Sequence, residues 1–568
     1  MNKIYQFFCA ICVVCCFSAC ADMLETDSEL VEYEKDNTLN HPTDSVYSVM
    51  GIINRIQVIA DRMVLLGETR GDLVVTTDAA SADLKRLANF ELSQDNVYNQ
   101  VSDYYAVINN CNYYLAHVDT AMQRRGRYVF KEEYAAVKAF RAWTYLQLVK
   151  AYGKVPFVLT PMMTEREARE AMNREYSNIK EVCTALIDDL TPYADVDLPN
   201  FGTIKNTNSQ YFFLPMKAVL GDLCLWAEKY EDAARWYHDY LNDRENPIMM
   251  EYNDRITWET ISSFDAAHIL NAYSVWDGEE MLSYIPMETQ VFDGSVSDLR
   301  NVFSSTTANN YYFQLTPSKG MYQLSSDQIY CIKYQSESST TIDTVYAPRT
   351  GLYNDLFVGD LRFASNYSET PLSGLDYYSE YSPVYQSISK HLTDRVMIYR
   401  SPMIYLHYAE ALNRAGYPQS AFAVLKYGLC QENLSKAVDA EEQAQAGDLI
   451  KFSPSVFNDR NTRGIHSRGS GDSECNVHYA LPMPATELTS RQDTIDYQVP
   501  LVEDLIVNEL ALEGAFEGNR FYDLIRVASR PGRDASYLAN RVARRSGTLD
   551  TSLHTKLMDK NNWFLPLP

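Results

Sequence analysis

The chain has 568 residues, enough for more than one hydrophobic core, and its formal net charge at pH 7 is -25. Such an excess of acid argues against nucleic acid as a partner, because binding phosphates requires clustered Lys and Arg side chains. Tyrosine is abundant, with 42 Tyr against 6 Trp, and its ring and hydroxyl suit packing as well as contacts with sugars or peptides.

Residues 1–19 have the pattern of a secretion signal. Lys3 supplies a positive charge, residues 7–17 form an apolar run, and small residues precede Cys20. This resembles the cleavage box of bacterial lipoproteins, so we predict that Cys20 is acylated and becomes the first mature residue. The alternative is an ordinary cleaved leader with an incidental cysteine. Residues 20–44 are acidic and predict a tether, and no later apolar run is long enough to cross a membrane.

The spacing of apolar residues predicts an N-terminal helical block at residues 45–245. Individual helices are expected at residues 45–66, 96–122, 134–152 and 178–190. Apolar stripes on two sides of the third helix indicate that it packs between neighbours. Residues 217–240 predict a helix, a turn near Tyr230 and a second helix.

Residues 400–428 contain the clearest repeat signal. One apolar face recurs at helical intervals, at Tyr405, Tyr408, Ala409 and Leu412. A second face follows at Ala421, Leu425 and Gly428. Between them, Gly416-Tyr417-Pro418 ends the first helix, because proline cannot continue it. The spacing matches a tetratricopeptide hairpin, and residues 217–240 have the same register. Since one hairpin cannot bury its own apolar face, we expect such hairpins to pack together.

Residues 246–400 lose the helical periodicity and gain Gly, Ser, Thr, Asn and Tyr. They predict a loop-rich region with few short strands, of which residues 281–286 and 329–334 are the best candidates. The C-terminal part, residues 401–568, contains the second hairpin and three further features. These are a loop-rich stretch at 443–496, an amphipathic helix pair at 501–527 and an apolar tail at 563–568 that should dock. The predicted fold class is therefore mainly α, a frame of tetratricopeptide-like hairpins with a loop-rich region.

Motifs that carry chemistry are hard to find. The sequence contains no HExxH, Walker, GxGxxG or GxSxG pattern, and the SxxK match at residues 387–390 lacks its companion motifs. Six cysteines lie beyond the leader, without CxxC or Cys/His spacing: Cys111, Cys183, Cys224, Cys331, Cys430 and Cys475. They predict neither a disulfide framework nor a zinc site. We expect no metal and no cofactor.

Five segments, in order, resemble the SusD/RagB family of outer-membrane lipoproteins of Bacteroidota. They are the box ending at Cys20, AFRAWTYLQLVKAYGKVP at 139–156, YRSPMIYLHYAEALNRAG at 399–416, ELALEGAFEGNRFYDLIR at 509–526 and NNWFLPLP at 561–568. The resemblance covers essentially the whole mature chain. It implies a helical frame with tetratricopeptide-like hairpins and a loop-rich ligand-binding face.

The resemblance also implies a function and partners. Family members sit on the cell surface, anchored by lipid, as lids on SusC-like TonB-dependent transporters, and they capture nutrients for import without catalysis. We expect a glycan ligand, oligosaccharide or polysaccharide. One alternative is a peptide ligand, as in some branches of the family. A glycoside hydrolase and a plain tetratricopeptide scaffold for a protein partner are others.

A sugar-binding site needs exposed aromatic rings and planar polar groups on loops held by a rigid scaffold. In the loop-rich region, the aromatic candidates are Trp276, Tyr311, Tyr312, Tyr377, Tyr378 and Tyr381. The family resemblance adds two acidic candidates from the loop after the first helix, Asp72 and Asp78. The alternative for each residue is simple packing.

Overall fold

The structure is a computed structural model of the chain. It describes residues 42–243, 280–291, 294–305, 313–334, 343–347, 359–371, 384–458, 463–486 and 488–567. The predicted leader and Cys20 lie outside these ranges, as do the aromatic candidates Trp276, Tyr311, Tyr312, Tyr377, Tyr378 and Tyr381. Nothing in the described ranges tests those predictions.

Helices make up most of the described structure, as the sequence predicts. They are α1 (Pro42–Glu68), α2 (Ala82–Ala88), α3 (Val101–His117), α4 (Lys131–Tyr152), α5 (Glu165–Met172), α6 (Ile179–Leu190), α7 (Met216–Trp226), α8 (Tyr230–Leu241), α9 (Leu299–Phe303), α10 (Lys319–Ser326), α11 (Leu361–Asn366), α12 (Ser401–Arg414), α13 (Pro418–Lys426), α14 (Gln431–Ala437), α15 (Ala440–Ala446), α16 (Ser467–Ser470), α17 (Arg491–Gly514), α18 (Arg520–Ala528), α19 (Ala535–Val542) and α20 (Thr551–Leu557).

The strands in the described ranges form short antiparallel pairs rather than one large sheet. The pairs are β1 (Val74–Thr76) with β9 (Leu315–Pro317), β2 (Gln123–Arg124) with β3 (Arg127–Tyr128), β4 (Lys154–Pro156) with β5 (Tyr176–Asn178), β6 (Thr203–Ile204) with β7 (Thr207–Asn208), β8 (Met281–Pro286) with β14 (Arg395–Arg400), β10 (Tyr330–Tyr334) with β11 (Asp343–Ala347), and β12 (Tyr367–Pro371) with β13 (Val384–Ile388). The strands predicted at 281–286 and 329–334 are confirmed as β8 and β10, and the fold class is confirmed as mainly α.

Both predicted hairpins are confirmed, as α7–α8 and α12–α13, and helix α8 packs against α12. The turn between α12 and α13 contains Gly416 with a φ of 95°, a conformation that glycine adopts at little energetic cost. In the first hairpin the two helices approach closely at Gly221. A Cβ atom at this position would lie 2.4 Å from the ring of Tyr237. The close approach therefore depends on the absence of a side chain at Gly221.

Helix α4 is the centre of the N-terminal block and packs against α1, α3, α6 and α7. Its residues from Ala135 to Tyr152 are buried on every side, which confirms the two predicted stripes. The helix ends at Gly153 with a φ of 75°, where the ring of Phe564 lies 2.8 Å from the place of a Cβ atom. The backbone N–H of Leu565 donates to the carbonyl of Ala151 at 2.9 Å. The apolar tail therefore docks on α4, as predicted.

Two helix boundaries were wrong. The helix predicted at 96–122 is limited to α3, because polar side chains before it bond to backbone carbonyls earlier in the chain, outside the predicted helix. Asn96 Nδ2 donates to the carbonyl of Asp83 at 3.0 Å, and Asn99 Nδ2 donates to that of Ser93 at 3.0 Å. Helix α17 begins ten residues before the predicted 501, after the capping residue Ser490, and it contains Pro500.

One large hydrophobic core joins apolar residues from all three predicted blocks, 45–245, 246–400 and 401–568. A second, smaller cluster lies among α18, α19 and α20 and includes Trp563 of the tail. The helical frame and the described parts of the loop-rich region therefore share one hydrophobic core. The block boundaries themselves remain predictions.

Candidate ligand-binding site

The buried side chain of Gln386, on β13, holds together three separate parts of the loop-rich region. Its Nε2 donates to the carbonyls of Phe303 at 2.7 Å and Leu315 at 2.8 Å. Its Oε1 accepts from Thr316 Oγ1 at 2.7 Å. Its backbone carbonyl accepts from the N–H of Ser305 at 2.8 Å. We call these residues the Gln386 junction. Every polar atom of the side chain has a partner there, so the junction fixes the ends of α9, β9 and β13 relative to one another.

The edge of the N-terminal block reaches the same junction through β1, whose partner is β9. Just beyond β1, the backbone N–H of Thr77 donates to the carbonyl of Gln314 at 2.9 Å, and its hydroxyl donates to the carbonyl of Phe313. Asp78 follows directly and is exposed to solvent, while its backbone carbonyl accepts from Lys85 Nζ at 2.8 Å. The predicted acidic candidate Asp78 therefore lies at the surface beside the chain that leads into β9.

The tyrosine candidates belong to two segments that begin and end at this junction. Tyr311 and Tyr312 lie in the chain between Ser305, which belongs to the junction, and Phe313, which precedes the junction residue Leu315 by two positions. Tyr377, Tyr378 and Tyr381 lie between the paired strands β12 and β13. The rings themselves lie outside the described residues, so the structure locates the ends of their segments. Both segments therefore adjoin chain that Gln386 holds together, and one of them adjoins Phe313, whose carbonyl bonds to Thr77 beside Asp78.

Asp72, the other acidic candidate, has a structural environment. It lies two residues before β1 and is buried, and its carboxylate accepts two hydrogen bonds from Arg520 on α18, at 2.6 Å and 2.9 Å. Burial alone would raise the pKa of Asp72, but the charge and hydrogen bonds of Arg520 hold it below its ordinary value. The carboxylate is therefore ionised and engaged in joining the first loop to α18, and it does not share the surface position of Asp78.

A second place with suitable chemistry is a surface cleft of about 680 Å³ between the N-terminal block and β8. Its wall combines the ring of Tyr211 with polar side chains that include Asp195, Asn208 and Gln210. Lys217 Nζ lies 2.9 Å from Asp195 Oδ1. Its lining also includes Asp243 and Met281, close to the two ends of the segment that contains Trp276. The cleft therefore lies at the base of that segment, and Trp276 itself is outside the described residues.

A buried network of charges beneath the loop-rich region was missed by the sequence analysis. Helix α17 directs three glutamates inward, Glu503, Glu509 and Glu513, each at most 1 % exposed. Arg362 Nη2 donates to Glu509 Oε2 at 2.7 Å, and Arg362 Nη1 donates to Glu513 Oε2 at 3.2 Å. Glu509 and Glu513 lie four residues apart among apolar neighbours, a spacing that puts both on one buried face of a helix. Burial of this face was not predicted, because glutamate on a helix is mostly exposed.

The same network connects several loop segments to α17. Arg400, at the end of β14, and Arg468, on α16, both bond to the carboxylate of Glu513. Arg468 also contacts both carboxylate oxygens of Glu280, at 2.8 Å and 3.0 Å. Glu280 is the first described residue after the segment that contains Trp276. The described parts of the loop-rich region are thus held to the helical frame by ion pairs as well as by apolar packing.

The described ranges offer no group of three or more His, Cys, Asp or Glu side chains arranged to hold a metal ion. Over the same part of the chain, no helix combines the length and apolar composition needed to span a bilayer.

The described residues form a helical scaffold with short strand pairs, and solved structures share this fold. A SusD superfamily protein from Bacteroides vulgatus is 12% identical, with a TM-score of 0.53 over 92% of this chain and 91% of that chain. A SusD-like carbohydrate binding protein from Bacteroides fragilis is 14% identical, with a TM-score of 0.54 over 86% of each chain. A second Bacteroides fragilis protein of the SusD superfamily is 15% identical, with a TM-score of 0.53 over 91% of this chain and 94% of that chain.

These likenesses confirm the SusD-like fold that the sequence resemblance implies. No protein-family model matches the sequence, and no curated protein matches it.

Proposed function

We infer that the chain is a member of the SusD/RagB family that binds oligosaccharide or polysaccharide at the cell surface without catalysis. The observation that supports this most is the Gln386 junction, from which both tyrosine-rich segments begin, next to the exposed Asp78. A glycan site needs aromatic rings against the C–H faces of sugars and planar polar groups for the hydroxyls. Tyr311, Tyr312, Tyr377, Tyr378, Tyr381 and Asp78 supply both classes of group.

The fold supports a role in nutrient uptake with a SusC-like TonB-dependent transporter as partner. One fold neighbour is described as a SusD-like carbohydrate binding protein, which favours a glycan over other ligands. The box before Cys20 supports attachment to the outer membrane by lipid. In this proposal the anchored chain captures the glycan and then closes over the transporter.

A peptide ligand, as in RagB-like proteins, is the second candidate, because tyrosine rings and acidic groups bind peptides as well as sugars. A glycoside hydrolase is a third and weaker candidate. It would need two carboxylates flanking the scissile bond, and two of the described acids, Asp72 and Asp195, are engaged in ion pairs.

Affinity electrophoresis of the purified chain tests the proposal. Native gels would contain starch, dextran, xylan, mannan, mucin glycans or polygalacturonate, and a tryptic digest of casein would serve as the peptide competitor. We expect at least one glycan to slow migration, with no increase in reducing ends after prolonged incubation. Slowed migration should be lost in the Tyr311→Ala/Tyr312→Ala and Tyr377→Ala/Tyr378→Ala variants, because each removes the rings from one segment.

The matched control is Tyr128→Ala, since Tyr128 is 53% exposed on β3, away from the junction in sequence. It should migrate like the unmodified chain. Loss of retention only in Trp276→Ala would move the site to the cleft. Release of reducing ends would reject the proposal that the chain binds glycans without catalysis. Slowed migration that only the peptide digest abolishes would reject a glycan as the ligand.

A further inference from the structure

The thiols of Cys331 and Cys475 lie next to each other although 144 positions separate them in the chain. Their Sγ atoms are 3.1 Å apart, about 1 Å more than the length of a disulfide bond. Cys331 is buried on β10, whereas Cys475 is partly exposed in a single turn of 3-10 helix, Ser473–Cys475. Cys475 is therefore the more exposed residue of the pair, and Cys331 lies behind it.

Hydrogen bonds on both sides of Cys475 hold the two thiols together. Before it, the N–H of Asp472 donates to the carbonyl of Cys331 at 2.7 Å, and Gly471 forms a parallel bridge with Cys331. After it, Asn476 Nδ2 donates to the carbonyl of Ile329 at 2.7 Å. Residues 471–476 are thus held against residues 329–331, so formation of a disulfide bond requires only a small movement of the two cysteine side chains.

We propose that Cys331 and Cys475 are a disulfide site, which is oxidised by thiol–disulfide exchange with a disulfide-bearing oxidant. The Cys475 thiolate attacks one sulfur of the oxidant, which gives a mixed disulfide and releases the first thiol. The Cys331 thiol then loses its proton and attacks the sulfur of Cys475, which releases the second thiol. In sum, the chain loses two hydrogen atoms and the oxidant's disulfide is reduced to two thiols.

The bond would tie two loop segments of the molecule together. On one side is the β10–β11 hairpin, whose Tyr346 ring packs edge-on against His478 at 4.9 Å. On the other is the segment after α16, where Lys426 Nζ donates to the carbonyls of Asn476 at 2.9 Å and Tyr479 at 2.6 Å. The closed loop is long, and long loops lose most entropy in the unfolded chain when cross-linked. This inference does not depend on the proposed function.

Two buried cysteines on α-helices, Cys111 and Cys224, provide matched controls. Burial raises the pKa of the Cys111 thiol and that of the Cys224 thiol to about 12. Since the thiolate is the reactive form, these thiols should not exchange with a disulfide in the folded chain.

The test uses the purified full chain, incubated with oxidised glutathione, then unfolded and alkylated without reductant before peptide mapping by mass spectrometry. We expect a linked peptide pair containing Cys331 and Cys475, which reduction by dithiothreitol separates, and complete alkylation of Cys111 and Cys224. Cys475→Ser should abolish the linked pair, and Cys224→Ser should leave it unchanged. Alkylation of both Cys331 and Cys475 after oxidation, or a linked pair made of other cysteines, would overturn the proposal.

Discussion

Glu68, the last residue of α1, is a fully buried carboxyl group held by backbone donors. It accepts hydrogen bonds from the N–H groups of Phe516 and Gly518, each at 3.1 Å. Burial raises its pKa from 4.5 to about 7, although the two hydrogen bonds act in the opposite direction. The carboxyl joins the end of α1 to the turn between α17 and α18, and its protonation therefore affects the stability of the frame.

A pH dependence follows from the raised pKa of Glu68. Between pH 4.5 and about 7 the folded chain keeps a proton that the unfolded chain releases. The contribution of this group to the free energy of unfolding therefore falls as the pH rises, by about 3 kcal/mol across that window. His391 acts in the opposite sense between pH 4 and 6.5, because burial lowers its pKa to about 4, so the total curve is not diagnostic.

The difference between the unmodified chain and Glu68→Gln isolates the effect, because glutamine does not titrate and loses one hydrogen bond equally at every pH. We expect the unfolding free energy of the unmodified chain minus that of the variant to fall steadily from about pH 5 to about pH 7, measured by urea denaturation. The exposed control, Glu432→Gln, should give a flat difference. A flat difference for Glu68→Gln as well would contradict a raised pKa.

The hairpin α7–α8 illustrates how far an element could be predicted from sequence. Its register was readable because apolar residues recur at helical intervals and Gly221 occupies the small position. Local spacing does not identify the partner, however, and the ring against Gly221 belongs to Tyr237, whose hydroxyl donates to Asp222 Oδ1 at 2.6 Å. The ring is thus fixed at both its face and its hydroxyl.

Gly221→Ala should therefore destabilise the chain by about 1–3 kcal/mol, because the added methyl group would overlap a ring that is held in place. Gly51→Ala is the matched control, since no atom lies within 4 Å of its Cβ position in α1. We expect that control to stabilise the chain by about 0.5–1 kcal/mol, as alanine is the better helix former. Equal effects of the two substitutions in thermal or urea denaturation would argue against the close approach.

Helix α17 shows what sequence could not supply. The helix pair at 501–527 was predicted as amphipathic, but Glu513 is fully buried among three arginines, Arg362, Arg400 and Arg468. These partners are distant in the chain, so no local pattern reveals them. The Gln386 junction was missed for the same reason, because its bonds reach across about 70–80 residues.

Removing the Glu513 charge should be costly, because three buried guanidinium groups would lose a shared carboxylate. For Glu513→Gln we expect a loss of about 3–5 kcal/mol in the free energy of unfolding, measured by urea denaturation. Glu432→Gln removes a carboxylate from an exposed pair with Lys436, at 72% and 70% side-chain exposure, and should change nothing measurable. A Glu513→Gln chain as stable as that control would show that the network carries no net stabilisation.

At the scale of the whole molecule, the helical frame and the proposed ligand-binding segments differ in how far the sequence predicts them. The frame follows from periodic burial and turn residues, and both hairpins and the docked tail are confirmed. The proposed site depends on segments outside the described residues, and the residues that flank these segments are held by long-range contacts such as those of Gln386 and Arg468. The sequence therefore supplied candidate residues by their chemistry, while the structure shows which flanking residues lie together at the Gln386 junction.

Hydrogen–deuterium exchange of the full chain, with and without the glycan that it retains in gels, tests the proposed ligand-binding face most directly. We expect slower exchange in peptides that cover residues 74–82, 303–317 and 366–388, because these meet at the Gln386 junction, and unchanged exchange in α7–α8 and α12–α13. Protection confined to the hairpins, or no protection in any of the three junction peptides, would contradict a ligand held by the segments that begin at Gln386.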